Sequence, residues 1–156
     1  MKFKEITKSF KNNNKSSKVL DNIDFDVKSG QIILISGSSG IGKTTLLNIL
    51  GCLLKPDSGI LHCENKVFDL AVDNMEKFRV ENFSYVFQNF NLLPEFNVYE
   101  NLLIPALIAK LNLNDAKRQI HDSLEYMNIA GLKYSFPNFL SQGEKQRIAF
   151  LRSLIG

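Results

Sequence analysis

The chain has 156 residues, 44% of them hydrophobic and 22% charged, with a formal net charge of +3 and a sequence pI near 8.8. That length suffices for one globular domain with its own core, and the mild basic excess suits a polyanionic ligand but is too small to indicate nucleic acid. Cys52 and Cys63 have no histidine at metal-ligand spacing, His62 and His121 stand alone, and Met1–Glu5 lacks the apolar run of a signal peptide. The thiols read as buried and reduced. The greasiest stretch, Leu102–Leu111, contains Pro105 and Lys110 and is too short to cross a bilayer. These features predict a cytosolic protein whose link to a membrane runs through a partner.

In chain order, the polar run Lys11–Lys18 reads as an exposed loop. Val19–Val27 alternates Leu20, Ile23, Phe25 and Val27 with polar residues, the pattern of a half-buried strand. Ser29-Gly30 makes a turn, and Gln31–Ser36 (QIILIS) suits a strand buried on both faces. Thr44–Leu54 is an apolar helix; Pro56, Asp57 and Gly59 form a turn. Gly59–Phe68 reads as a hairpin with Glu64-Asn65 at its tip, Asn74–Val80 as a short helix, and Phe83–Phe87 (FSYVF) as a strand ending at Gln88. The second half is helical. Asn97 caps a helix with Glu100 placed to reach back. Ala116, Ile120, Leu124 and Met127 share one helical face, with Gly131 as the stop. Pro137–Leu140 is a loop, and Ser141-Gln142-Gly143-Glu144 is a second capping box opening a last helix. The order of elements predicts an α/β fold.

Gly37-Ser38-Ser39-Gly40-Ile41-Gly42-Lys43-Thr44 matches G-x-x-x-x-G-K-[ST] in full, between an expected strand and an expected helix. The glycines let the backbone bring its N–H groups up to phosphates. The helix aims its positive end at the same charge. Lys43 offers a point charge to the β- and γ-phosphates, the Thr44 hydroxyl can ligate Mg²⁺, and Thr45 completes the nucleotide-binding set.

A phosphate loop does not by itself name a function. Two further segments, FSYVFQNFNLLPEFNVYENLL (83–103) and LSQGEKQRIAFLRSL (140–154), narrow the choice. With the loop, they make the sequence resemble the ATP-binding subunits of ABC transporters from about residue 3 to the end. The loop resembles their Walker A. Gln88 stands at the Q-loop glutamine. Leu140-Ser141-Gln142-Gly143-Glu144 resembles the signature motif, and NLLPEFNVYENL the exporter group that includes lipoprotein-release and macrolide-export ATPases.

The resemblance implies a P-loop ATPase fold with an antiparallel β subdomain and a helical subdomain, divided at about 1–87 for the β subdomain and phosphate-loop core, 88–140 for the Q-loop and helical subdomain, and 140–156 for the signature and its helix. It implies ATP and Mg²⁺ as ligands. Gln88 would serve Mg²⁺ or the attacking water, Phe10 would stack on adenine, and Ser141 and Gly143 would face the ATP of a second domain in a head-to-tail dimer. A transmembrane permease would be the other partner, which places the protein on the inner face of the cell membrane. Gln142 replaces the first signature glycine and Glu144 a common glutamine; a positive φ at 142 would strain a residue with a Cβ. The family's apolar Asp-Glu strand, D-loop and switch histidine have no counterpart up to Gly156. The expectation is a core sheet short of a strand, weak nucleotide binding and poor hydrolysis, since losing general-base help typically costs about 10²–10⁴ in rate. A non-catalytic remnant is the alternative.

Overall fold

The computed structural model describes residues 1–12 and 15–155. The chain forms two compact units, Met1–Arg79 and Val80–Gly156. Asn13, Asn14 and Gly156 lie outside the described residues.

The first unit is built on one antiparallel sheet. Strands β1 (Lys2–Asn12), β2 (Lys15–Asp26), β3 (Ser58–Cys63) and β4 (Lys66–Asp69) lie in the order β2-β1-β3-β4. The β1–β2 register runs out to Asn12↔Lys15, so most of the segment expected as a loop over 11–18 is paired strand. Main-chain pairing here overrides a polar composition that speaks only to side-chain solvation. β3 and β4 form the expected hairpin, with Cys63 opposite Lys66. Phe3, Ile6, Leu20 and Leu61 fill the sheet's buried face. Helix α1 (Lys43–Leu50) follows the glycine-rich loop and buries Ile49 and Leu50. Helix α2 (Glu76–Asn82) buries Phe78, whose ring lies 4.8 Å from that of Phe68.

Two expected strands are absent. Gln31–Ser36 joins no sheet, with Ile32 99% and Leu34 88% exposed, where burial on both faces was expected. Phe83–Phe87 likewise belongs to no sheet strand. Its period-two character survives, because Phe83, Tyr85 and Phe87 stack in series at 6.4 and 5.8 Å between centroids. A strand is defined by a ladder of hydrogen bonds to a neighbouring strand, and neither run is part of such a ladder among the described residues.

The second unit holds α3 (Val98–Ile108), α4 (Leu113–Tyr126) and α5 (Gln142–Leu154). Short 3₁₀ turns at Ala130–Leu132 and Pro137–Phe139 connect α4 to α5. Val98, Leu102 and Ala106 of α3, Ala116, Ile120 and Leu124 of α4, and Ile148 and Leu151 of α5 share one core. The i, i+4, i+8 spacing on α4 is the expected apolar stripe. The α4 stop is not Gly131, which sits inside the first 3₁₀ turn. Asn128 takes the left-handed conformation (φ 54°), and Ile129 N–H donates to Leu124 O at 3.0 Å. Cys52 and Lys110 end α1 and α3 in the same way. No helix among the described residues is long and apolar enough to cross a membrane.

Candidate nucleotide-binding site

The loop at 37–42 carries three glycines with positive φ: Gly37 (152°), Gly40 (81°) and Gly42 (106°). Gly42 is the position where the requirement is steric as well. A Cβ there would lie 2.6 Å from Val19 Cγ1 and 3.3 Å from Val19 O, so β2 backs directly onto the loop. Gly42 is also the N-cap of α1, and no side chain caps it. The first intrahelical bond is Leu46 N–H to Gly42 O at 2.8 Å. The N–H groups of the opening turn are therefore left for an outside acceptor, which is what an anion needs at a helix start.

Lys43 closes the arrangement. Its Nζ donates to Gly37 O at 2.8 Å and to Ser38 O at 2.7 Å, crossing the loop from the helix side. An ammonium has three donors, so one remains for a phosphate oxygen. The ring of backbone thus encloses a cation and ends at an uncapped helix. This donor set fits the phosphates of a nucleotide; Thr44, next on α1, is exposed and offers a hydroxyl oxygen of the hard type that Mg²⁺ takes.

Phe10 lies on β1 opposite Ser17 of β2, two residues before the Val19 that abuts Gly42. Its ring is 43% exposed, with Lys8 Nζ 5.6 Å from the centroid, so it belongs to the surface rather than the core. A cavity of about 320 Å³ in this unit lies elsewhere, at the C-terminal end of α1, lined by Cys52, Lys55, Met75 and Arg79 among others. Arg79 Nη1 donates to Cys52 O at 3.1 Å there, and burial pushes the Cys52 thiol up to about 11, leaving it protonated and inert at neutral pH.

In the second unit, Gln88 is exposed in a tight turn closed by Phe90 N–H on Phe87 O at 3.0 Å. Ser141 is the N-cap of α5, in the capping box its sequence predicts. Ser141 N–H and Ser141 Oγ–H both donate to Glu144 Oε2 at 2.7 Å, and these bonds hold the Glu144 carboxyl below its ordinary range. Gln142 is the first residue of α5 and has no positive φ, so its Cβ causes no strain. Gly143 faces open space on the same turn, its nearest neighbour Arg147 Nη1 at 4.0 Å from where a Cβ would stand.

Two residues around Gln88 escaped the sequence reading. Asn101 of α3 is fully buried; its Oδ1 accepts from Leu93 N–H at 2.8 Å, and its Nδ2 donates to Leu93 O, Phe96 O and Asn97 O at 2.8–3.0 Å. Arg152 of α5 donates from Nη2 to Phe90 O at 2.7 Å and from Nη1 to Asn91 O at 2.6 Å. A polar residue in the apolar stretch 98–108 was the available signal for Asn101; nothing local marks Arg152.

The ABC transporter family profile matches residues 20–156. The chain is 43% identical over 138 residues to the lipoprotein-releasing system ATP-binding protein LolD of Cytophaga hutchinsonii, covering 88% of this chain and 63% of that protein. It is 41% identical to LolD of Bacteroides thetaiotaomicron, covering 99% of this chain and 70% of the relative. Among solved structures, the dimeric post-hydrolysis state of the ATP-binding cassette MJ0796 bound to ADP and Pi superposes with a TM-score of 0.87 at 30% identity, over 99% of this chain and 68% of that one. MJ0796, from Methanocaldococcus jannaschii, is an uncharacterized ABC transporter ATP-binding protein. Such overlap extends far beyond the phosphate loop: the chain belongs to the ABC transporter family, among its ATP-binding subunits.

Proposed function

We propose that this chain takes MgATP on residues 37–45 and, in the whole protein, couples nucleotide binding and hydrolysis to an exporter-type membrane permease. The observation that carries the reading is Lys43, whose ammonium bridges Gly37 O and Ser38 O ahead of an uncapped α1. In this reading Lys43 and the loop amides hold the phosphates, Thr44 and Gln88 serve Mg²⁺, and Phe10 stacks on the base. Mg²⁺, when bound, offsets the charge of the phosphate oxygens. Ser141 and Gly143 face the nucleotide of a second ATP-binding domain, as the helix start at α5 suits a phosphate. The dimeric MJ0796 structures support a pairing of cassettes. The chain would then sit at the inner membrane face through its permease and contact no nucleic acid. The likeness over nearly the whole chain to ATP-binding subunits supports this reading over a remnant indifferent to nucleotide.

Titration calorimetry with MgATP tests the reading. Lys43→Ala removes a charge-assisted bond worth roughly 1.5–3 kcal/mol, so its affinity should fall about 10- to 100-fold. A well-folded chain that takes up no MgATP at millimolar levels, or a Lys43→Ala form that binds as well, would overturn the proposal.

A further inference from the structure

The turn that presents Gln88 is held by a side chain from a distant helix. Gln88 and Asn89 are its two central residues, and the chain leaves it through Phe90 (φ 60°) and Asn91 (φ 47°). Two consecutive non-glycine residues in the left-handed region are intrinsically unfavourable and persist only where neighbours fix them. The neighbour is Arg152. Its planar guanidinium forks onto the two successive carbonyls Phe90 O and Asn91 O, 62 and 61 residues away in sequence. The side chain is half-buried, and burial lowers its pKa below the ordinary arginine value, so the cation is desolvated for main-chain acceptors. From two residues past Asn91, Asn101 fixes Leu93, Phe96 and Asn97. The segment after Gln88 is thus clamped at both ends, while the Gln88 side chain stays exposed.

We propose that Arg152 is a positioning residue for Gln88: by locking the carbonyls of Phe90 and Asn91 it fixes the turn conformation on which the Mg²⁺ role of Gln88 depends. The inference rests on the metal-side reading of Gln88 given above. It also ties that turn to α5, the helix whose first turn carries Ser141 and Gly143. No local sequence signal calls for this contact. A lysine at 152 would keep the charge but lacks the planar guanidinium that offers each carbonyl its own nitrogen.

The test is ATP affinity of the chain measured with excess Mg²⁺ and again in EDTA; the ratio is the magnesium-dependent gain. Arg152→Ala should reduce that gain about tenfold, the size of one lost charge-assisted contact, and leave the EDTA affinity within about twofold. Arg152→Lys should recover part of the gain. Hydrogen exchange at residues 88–92 should quicken in Arg152→Ala while α3 and α4 keep their protection. If Arg152→Ala unfolds the second unit, Arg152→Gln, which keeps one donor, carries the same measurement. Gln88→Ala separates the two claims. Should Gln88→Ala keep the full gain, the metal-side reading of Gln88 falls and the proposal with it. Should Gln88→Ala lose the gain while Arg152→Ala retains it, Arg152 does no positioning and only the proposal is overturned. An equal loss with and without Mg²⁺ in Arg152→Ala would mark a purely structural role and overturn it too.

Discussion

Glu144 shows how one side chain can settle the state of a helix start. Its Oε2 receives both the N–H and the hydroxyl of Ser141, and these two bonds pull the carboxyl below the usual glutamate value of 4.5, with a smaller pull from Arg147. A carboxylate whose folded-state pKa is depressed adds stability that is fully present above its unfolded pKa and is lost as pH falls through the folded one. The capping box should therefore hold at neutral pH and open only in acid below about pH 4.5. Glu144 lies partly exposed at the surface, so the effect on global stability is small and the local titration is the better readout. A carboxyl NMR titration should place the Glu144 midpoint below 4.5, and Ser141→Ala should move it up toward that value. A midpoint indifferent to Ser141→Ala would mean that the hydroxyl does not hold the carboxylate. The same bonds bear on the Ser141 hydroxyl as a phosphate ligand, because its proton is already donated to Glu144. An incoming phosphate oxygen must compete with that acceptor.

Among the elements, α3 has the sharpest internal contrast. It begins with a capping box at Asn97 and Glu100, and one residue later carries the fully buried Asn101. Asn97 is a surface cap, and its replacement by Ala should cost about 1 kcal/mol. Asn101→Leu keeps the branched shape but strands Leu93 N–H and Phe96 O, while Leu93 O and Asn97 O keep the main-chain N–H groups of Phe96 and Asn101. Each stranded group costs about 1–3 kcal/mol, so urea unfolding should show a loss of roughly 3 kcal/mol or more. Equal losses for the two variants would contradict the assigned hydrogen bonds. The two residues also mark what was legible. Capping boxes are local patterns four residues long, and both were read correctly from N-x-x-E and S-x-x-E. The phosphate loop is nearly as local, since its glycines take positive φ within six residues, although Gly42 also answers to Val19 of β2. Asn101 and Arg152 act on partners that only the folded chain brings near. Helix ends at Cys52, Lys110 and Asn128 were missed because non-glycine residues fill the left-handed position that the search for glycine assumes.

At the scale of the molecule, the run Gln31–Ser36 separates what a sequence proposes from what a sheet provides. Its apolar, β-branched character asks for burial on two faces, yet Ile32 is 99% and Leu34 88% exposed. The loop immediately after it keeps its glycine conformations and its Lys43 bridge, so the phosphate-binding geometry does not depend on that run being paired. The preceding turn is equally self-contained, with Gly30 at φ 72° and Lys28 N–H on Gln31 Oε1 at 3.0 Å. About a third of the MJ0796 cassette lies outside the match, which covers 68% of it. A core strand in this chain would make Ile32→Lys with Leu34→Lys ruinous, because burying two unpaired ammonium groups costs several kcal/mol each. The exposure instead predicts that the double variant unfolds within about 0.5 kcal/mol of the parent, as surface substitutions do. It should also stay soluble to higher concentration, because an exposed apolar segment is a template for association. Urea unfolding and light scattering on the parent and the double variant decide the matter. A loss of several kcal/mol would show that Ile32 and Leu34 are packed in solution, and that the sheet is more complete than four antiparallel strands.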